Sequence, residues 1–340
     1  MKKERVTYID IILALGLIMA ILFGTGICGS KAGNVFNEAC PWIFMAAYGG
    51  LYFEKNIRDK KVEYVIKKSC MRLLVPYIIF SLIACAIEAG KYIFTADNKS
   101  IAPLKTMLLE FASLKGVCYT GFFTALFIGV NAYGFIRKKC NLLVTGIFVA
   151  VFLAYVIYIS KYVDLLTKQS KPVNVFLAGI CYTCLRGLIG LFFVFVGEVM
   201  ARLLKGAEKM KIFTGIDGIL ILIVVVLFTK ETRLDSMELV FGNIYLYMAL
   251  SIAMVASVYI ISWWISESMP LIFLGRNSKI LYLGYYVLGI KMAGDAVAGK
   301  LFVKFDNYFI MKAGNIALVI ILEAALIATY KMICKRVEKR

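Results

Sequence analysis

The sequence of 340 residues is 61% apolar, whereas a soluble globular protein is about 45–50% apolar on a similar count. Its apolar residues form blocks long enough to cross the ~30 Å hydrocarbon core of a bilayer as helices. This composition excludes a soluble enzyme, a disordered chain and a nucleic-acid-binding module. In a membrane protein, the formal net charge of +18 indicates the orientation of the chain in the membrane before it indicates a polyanionic partner. The absence of histidine excludes imidazole as a base, acid or metal ligand.

The apolar blocks predict a single all-α domain, residues 1–340, with ten transmembrane helices. In chain order the predicted spans are 8–29, 40–53, 72–95, 117–136, 142–160, 176–204, 213–230, 243–265, 278–297 and 313–334. The second span is short for a helix that crosses a bilayer. The amphipathic segment 105–115 is expected to lie on the membrane interface.

The basic residues alternate between successive loops, and this alternation predicts the orientation of the chain. If the N-terminus lies inside, the inside segments carry 24 Lys and Arg residues and the outside segments carry 13. Inside loops of membrane proteins are enriched in Lys and Arg, so both termini are expected in the cytoplasm. The sequence therefore predicts a multi-pass protein of a cell membrane.

Three stretches combine aromatic, basic and glycine residues in a particular order. The first is YIDIILALGLIMAILFGTG (8–26). The second is FNEACPWIFMAAYGGLYFEKN followed by VIKKSCMRLLVPYIIFSL. In this second stretch, Arg72 to Tyr77 form an Arg-Leu-Leu-x-Pro-Tyr sequence. The third is FLGRNSKILYLGYY (273–286), with a Gly-Arg-Asn-Ser sequence. In this order and spacing they resemble the acyltransferase-3 family of polytopic membrane proteins.

The resemblance implies an enzyme of a bacterial inner or plasma membrane. Members of this family transfer an acyl group from acyl-CoA on the cytoplasmic side to a cell-surface or exported carbohydrate. The implied partners are therefore the lipid bilayer and a glycan or lipid-linked sugar acceptor. No bound cofactor or metal ion is expected, and acyl-CoA would enter only as the donor of an active enzyme.

The motif positions that carry the family's chemistry are altered in this sequence. Aligned on Asp10, the family's basic residue falls on Leu13 and its histidine on Gly24. The family's late histidine, ten residues after Gly275 of the third stretch, falls on Tyr285. Acyl transfer to a hydroxyl requires a base and a group that stabilises the oxyanion, and leucine and glycine provide neither.

The altered motif predicts a degenerate, non-catalytic relative, for which a catalytic family member would be the partner. Two alternatives stay open. One is an active enzyme with a different base, and the other is a transporter-like, flippase-like or accessory protein of polysaccharide export.

Arg186 and Glu323 lie well inside predicted spans, away from the helix starts, and have no opposite charge within four residues. A charge at the centre of a span costs at least ~2.5 kcal/mol, so such residues are candidates for function. We expect Arg186 to face a polar cavity and Glu323 to face the protein interior. A direct pair between them and outward snorkelling of Arg186 both remain open.

Asp10, near a helix start where the helix dipole favours a carboxylate, also belongs to the candidate polar pocket. Asn277, Ser278 and Tyr285 complete that pocket in the late motif. Gly275 to Ser278 predict a turn in which Asn277 and Ser278 cap the ninth span. Elsewhere, Glu198 and Arg202, four residues apart, predict a simple surface pair.

Overall fold

The computed structural model describes residues 6–24, 30–94, 102–117, 120–167, 172–206, 211–228, 234–235, 240–241, 244–290, 293–295, 297 and 308–338. The secondary structure of these residues is helical, apart from an antiparallel pair of two-residue strands, Leu234–Asp235 and Val240–Phe241. The predicted all-α class is therefore confirmed for the described part of the chain.

The helices occur at the positions of the predicted spans and of the interfacial segment. They are α1 (Thr7–Gly24), α2 (Ser30–Glu54), α3 (Val62–Ser69), α4 (Val75–Phe94), α5 (Ala102–Ala112), α6 (Gly121–Lys139), α7 (Leu142–Thr167), α8 (Pro172–Gly206), α9 (Lys211–Phe228), α10 (Ile244–Trp264), α11 (Met269–Tyr286) and α12 (Tyr308–Glu338). A 3-10 turn, Ile57–Asp59, precedes α3, and a π-helical segment, Cys70–Leu74, joins α3 to α4.

Within the described residues, four helices are long and apolar enough to cross a membrane. They are Val62–Gly90, Leu142–Ile159, Val173–Gly206 and Ile244–Trp264. Shorter apolar helices run over Thr7–Leu22, Gly215–Phe228 and Gly314–Thr329. Large apolar side chains are exposed along the outer faces, for example Leu143 and Val151 on α7, and this surface suits contact with lipid. The chain is an α-helical membrane protein.

The second predicted span, 40–53, is too short, because α2 continues from Ser30 to Glu54. Its 25 residues correspond to a length of about 37 Å. Pro41 lies inside this helix. Proline is tolerated within membrane helices because neighbouring groups compensate for the lost hydrogen bond.

The centre of the fold is α8, against which α2, α6 and α7 pack. The backbones of α2 and α8 approach so closely that both helices need glycine at the crossing. A Cβ atom on Gly49 would lie 1.9 Å from the Val194 carbonyl oxygen, and one on Gly197 would lie 2.0 Å from the Ala46 carbonyl oxygen. Small residues at such crossings allow the close packing on which helix association in membranes depends.

A second close crossing joins α1 to α11 and corrects the turn predicted at Gly275 to Ser278. These residues lie inside α11, which begins at Met269 after Ser268 at its N-cap, so Asn277 and Ser278 do not cap a helix. A Cβ atom on Gly275 would lie 1.6 Å from the Asp10 carbonyl oxygen. Gly275 is therefore required by the contact between two helices, whereas its sequence context is typical of a turn.

The end of α11 also differs from the predicted ninth span, 278–297. The helix ends at Tyr286, and Gly289 follows with a φ of 72°. Left-handed φ values favour glycine and are typical of helix ends. Residues 291–292 and 296 of that predicted span lie outside the described residues, as do residues 25–29 of the first.

Candidate functional site: a cavity with a cationic rim

A cavity of about 500 Å³ lies between α1, α2, α6 and α11. Each of the three stretches that resemble the acyltransferase-3 family contributes to its wall. Asp10 and Leu13 come from the first stretch, Tyr48 and Arg72 from the second, and Arg276 from the third. The fold thus brings together residues that are far apart in the sequence.

Four cationic side chains surround the mouth of this cavity. Arg72 and Arg276 are exposed, and Lys55 and Lys279 are half-buried. Lys279 Nζ donates a hydrogen bond of 3.3 Å to the Arg72 carbonyl oxygen and lies 5.7 Å from the centre of the Tyr48 ring. A concentration of one sign of charge in a cleft attracts ligands of the opposite sign.

Asp10 is the single carboxylate among the described residues that line the cavity. Its side chain is largely buried, and its Oδ2 atom lies 3.4 Å from Arg276 Nε. The first turn of α1 places this carboxylate at the positive end of the helix dipole. Asp10 therefore orients Arg276 at the rim of the cavity.

The deeper wall of the cavity is apolar and partly aromatic. Phe44, Phe122 and Phe123 are buried there, and the ring centres of Phe44 and Phe122 are 5.7 Å apart. Tyr282 packs against the same cluster, with its ring centre 5.5 Å from that of Phe122. Leu13, at the motif position of the family's basic residue, adds a further apolar side chain. The cavity is therefore amphiphilic, with cations at the rim and hydrocarbon inside.

The other candidates in the late motif lie in different surroundings. Ser278 is buried and lines the cavity together with Asp10. Asn277 instead donates a 2.7 Å hydrogen bond to the Phe273 carbonyl oxygen one turn earlier. Tyr285 is buried in a separate apolar cluster with Ile290 and Val319. Of the motif positions, Leu13 is in the cavity wall, whereas Gly24 is the last residue of α1.

Arg186 is buried and forms a hydrogen bond to the backbone of the segment that connects α5 to α6. Its Nη1 atom donates a 3.1 Å hydrogen bond to the Lys115 carbonyl oxygen, and its guanidinium carbon lies 5.8 Å from the centre of the Tyr182 ring. The side chain is 4% exposed, so it does not snorkel outward. The connection contains two left-handed residues, Leu114 at φ 60° and Gly116 at φ 91°, and Arg186 binds the carbonyl between them.

Glu323 lies elsewhere, on α12, where it is 4% exposed. Neither of its carboxylate oxygens has a hydrogen-bond partner among the described residues. The pair with Arg186 that the sequence left open is therefore not formed. Glu323 faces α11, because a Cβ atom on Gly284 would lie 3.3 Å from Glu323 Oε2.

A buried ionic cluster around Glu198 was missed by the sequence interpretation. The predicted pair of Glu198 with Arg202 forms, but Glu198 is 1% exposed, so its interpretation as a simple surface pair is wrong. Arg137 Nη2 lies 3.1 Å from Glu198 Oε1, Arg202 Nη2 lies 2.6 Å from the same oxygen, and the Tyr133 hydroxyl donates to Oε2. The position of Glu198 within an apolar run was a signal of burial, but Arg137 is 61 residues away in the sequence.

The fold and the cavity define a class, an α-helical membrane protein with an amphiphilic, cation-rimmed cavity. Comparisons of the chain with protein families, with characterised proteins and with solved structures found no match.

Proposed function

We propose that this chain is a divergent, non-catalytic relative of the acyltransferase-3 family that binds a ligand of the acyl-CoA class in the cavity. The observation that carries the proposal is the combination of four rim cations with an apolar interior. A phosphate-bearing head complements the charge of Arg72, Arg276 and Lys279, since guanidinium and ammonium groups bind phosphate through charge-assisted hydrogen bonds. An acyl chain matches the aromatic and aliphatic wall, where burial of apolar surface stabilises binding.

The loss of the transfer step is proposed from the groups that line the cavity. The sequence contains no histidine, and Asp10, the carboxylate of the described wall, is paired with Arg276. General base catalysis typically contributes about 10²–10⁴-fold in rate, and Leu13 offers no charge to stabilise an oxyanion. A bound acyl donor would therefore be held without rapid transfer.

In the proposed topology, ten spans cross a bacterial inner or plasma membrane and both termini are cytoplasmic. Lys55, Arg72, Arg276 and Lys279 all belong to segments that the charge distribution assigns to the inside. The cavity then opens to the cytoplasm, where acyl-CoA is available. The biological role would be to hold an acyl donor or lipid-linked sugar for a catalytic partner during modification or export of a polysaccharide.

The binding step is tested with the purified full-length protein in lipid nanodiscs and radiolabelled acetyl-CoA. We expect saturable binding, weakened at least tenfold by the double substitution Arg72→Gln and Lys279→Gln. The matched control is Lys67→Gln with Lys139→Gln, which removes the same charge from exposed positions outside the cavity wall. Equal affinity of both double variants would contradict a binding role for the rim.

The chemical step is tested by reconstituting the protein in liposomes, supplying labelled acetyl-CoA and measuring label on extracted glycan. We expect no transfer above the protein-free background. Transfer by the unaltered chain, abolished by Asp10→Asn, would overturn the proposed loss of catalysis and identify Asp10 as the base. Transfer that appears only in the double variant Leu13→Arg and Gly24→His would support a degenerate enzyme on an intact scaffold.

A further inference from the structure

A separate groove of about 370 Å³ lies between α1, α11 and α12. It shares two helices with the cation-rimmed cavity but none of its wall residues. The helix α1 contributes Leu17 and Ile21, and α11 contributes Leu274 and Leu281. Every described residue of this wall is apolar except Glu323 of α12.

Glu323 is a buried carboxyl group in an apolar wall. Its side chain is 4% exposed, and neither carboxylate oxygen has a hydrogen-bond partner among the described residues. No Lys or Arg lies within four residues of it in the sequence. A carboxyl group in such surroundings is costly as an isolated anion, and it gains most from a cation brought to it by a ligand.

The neighbouring elements provide no such cation in the described structure. The wall residues of α1 are aliphatic, and the titratable neighbour on α11 is the hydroxyl of Tyr285, which interacts electrostatically with Glu323. That hydroxyl is buried and also lacks a hydrogen-bond partner among the described residues. Asp295, the other group that acts on Tyr285, is exposed and supplies no cation.

We propose that this groove binds a lipophilic monovalent cation, an ammonium-type or phosphonium-type ion with a hydrocarbon body. The charge of the ion complements Glu323, and attraction between the two charges is strong where water is excluded. The hydrocarbon body fits a wall that carries no other polar side chain in the described residues. An uncharged hydrocarbon would leave both carboxylate oxygens unsatisfied, and an anionic lipid would be repelled.

The test measures binding of tritiated tetraphenylphosphonium to the purified full-length protein in nanodiscs. We expect saturable binding that decyltrimethylammonium displaces and decanol, its uncharged counterpart, does not. Glu323→Gln should weaken binding at least tenfold. The control Glu267→Gln neutralises an exposed carboxylate in the connection between α10 and α11 and should leave binding unchanged.

A second variant, Ala324→Trp, keeps the carboxyl group and fills the groove, whose wall includes Ala324. It should also abolish binding of the cation while binding of acetyl-CoA by the separate cavity persists. Binding that survives both Glu323→Gln and Ala324→Trp would overturn the proposal. Displacement by decanol as effective as that by decyltrimethylammonium would also overturn it and would identify the groove as a site for a neutral hydrocarbon chain.

Discussion

Two carboxylates are deeply buried on different sides of the fold, and their surroundings differ sharply. Glu198 on α8 is 1% exposed and contacts Arg137, Arg202 and Tyr133. Glu323 on α12 is 4% exposed and has no hydrogen-bond partner among the described residues. The two carboxylates are therefore buried to a similar extent, but only Glu198 has hydrogen-bond partners among the described residues.

This difference separates a structural carboxylate from one that is available to a ligand. Glu198 ties the end of α6 to α8 through Arg137, and its charge is balanced within the protein. A buried charge that is balanced in this way contributes to a defined arrangement of helices. Glu323 does not link two helices through an ion pair in the described structure. The stability of the fold should therefore depend on Glu198 and hardly on Glu323.

The largest effect is expected for Glu198→Gln, because it leaves the buried guanidinium of Arg137 without its counter-ion. We expect the free energy of unfolding to fall by about 3 kcal/mol, measured by denaturant titration of the detergent-solubilised protein. Glu267→Gln, at an exposed position, is the matched control. Equal stability of the two variants would show that the ionic cluster around Glu198 does not stabilise the contact between α6 and α8.

An intermediate effect is expected at the two arginines that contact Glu198. The Arg137 side chain is 4% exposed and that of Arg202 is 40% exposed. Arg137→Gln should lower the free energy of unfolding by about 2 kcal/mol, since Arg202 still balances Glu198. Arg202→Gln should lower it by about 0.5 kcal/mol, the usual size of an exposed pair within a helix. The same titrations check the order, and a larger loss for Arg202→Gln would contradict it.

The smallest effect is expected for Glu323→Gln. Both oxygens already lack hydrogen-bond partners among the described residues, so an amide of the same shape loses no contact. We expect the free energy of unfolding to fall by no more than about 0.5 kcal/mol when no cationic ligand is present, because Gln removes a buried charge that no described residue balances. A loss as large as that of Glu198→Gln would mean that Glu323 is satisfied within the protein, and the comparison between the two carboxylates would fail.

Much of the fold was accessible from the sequence, because apolar blocks of membrane length leave few alternatives to helices. Helix ends and glycines were harder to interpret. The predicted second span began at residue 40, although α2 begins at Ser30. Gly275 suggested a turn, although the backbone of α1 is what requires it. A glycine that permits close approach and one that permits a turn look alike until the neighbouring helix is known.

The candidate sites were predicted less completely, since their contacts join distant parts of the chain. The sequence selected Asp10 and Ser278, which the fold brings to one cavity. It also selected Arg186, whose partner is the backbone carbonyl of Lys115, 71 residues away. No local pattern indicates such a partner. Charge counting placed Arg137 among the basic loop residues and so concealed its role in a buried pair with Glu198.

The crossing of α1 and α11 has a consequence for biosynthesis. Asp10 and Arg276 are 266 positions apart, so α1 leaves the ribosome long before this partner has been made. At typical elongation rates the delay is on the order of tens of seconds. During that time the carboxylate of Asp10 lacks Arg276 as a partner, and a chain interrupted before Met269 never forms this ion pair.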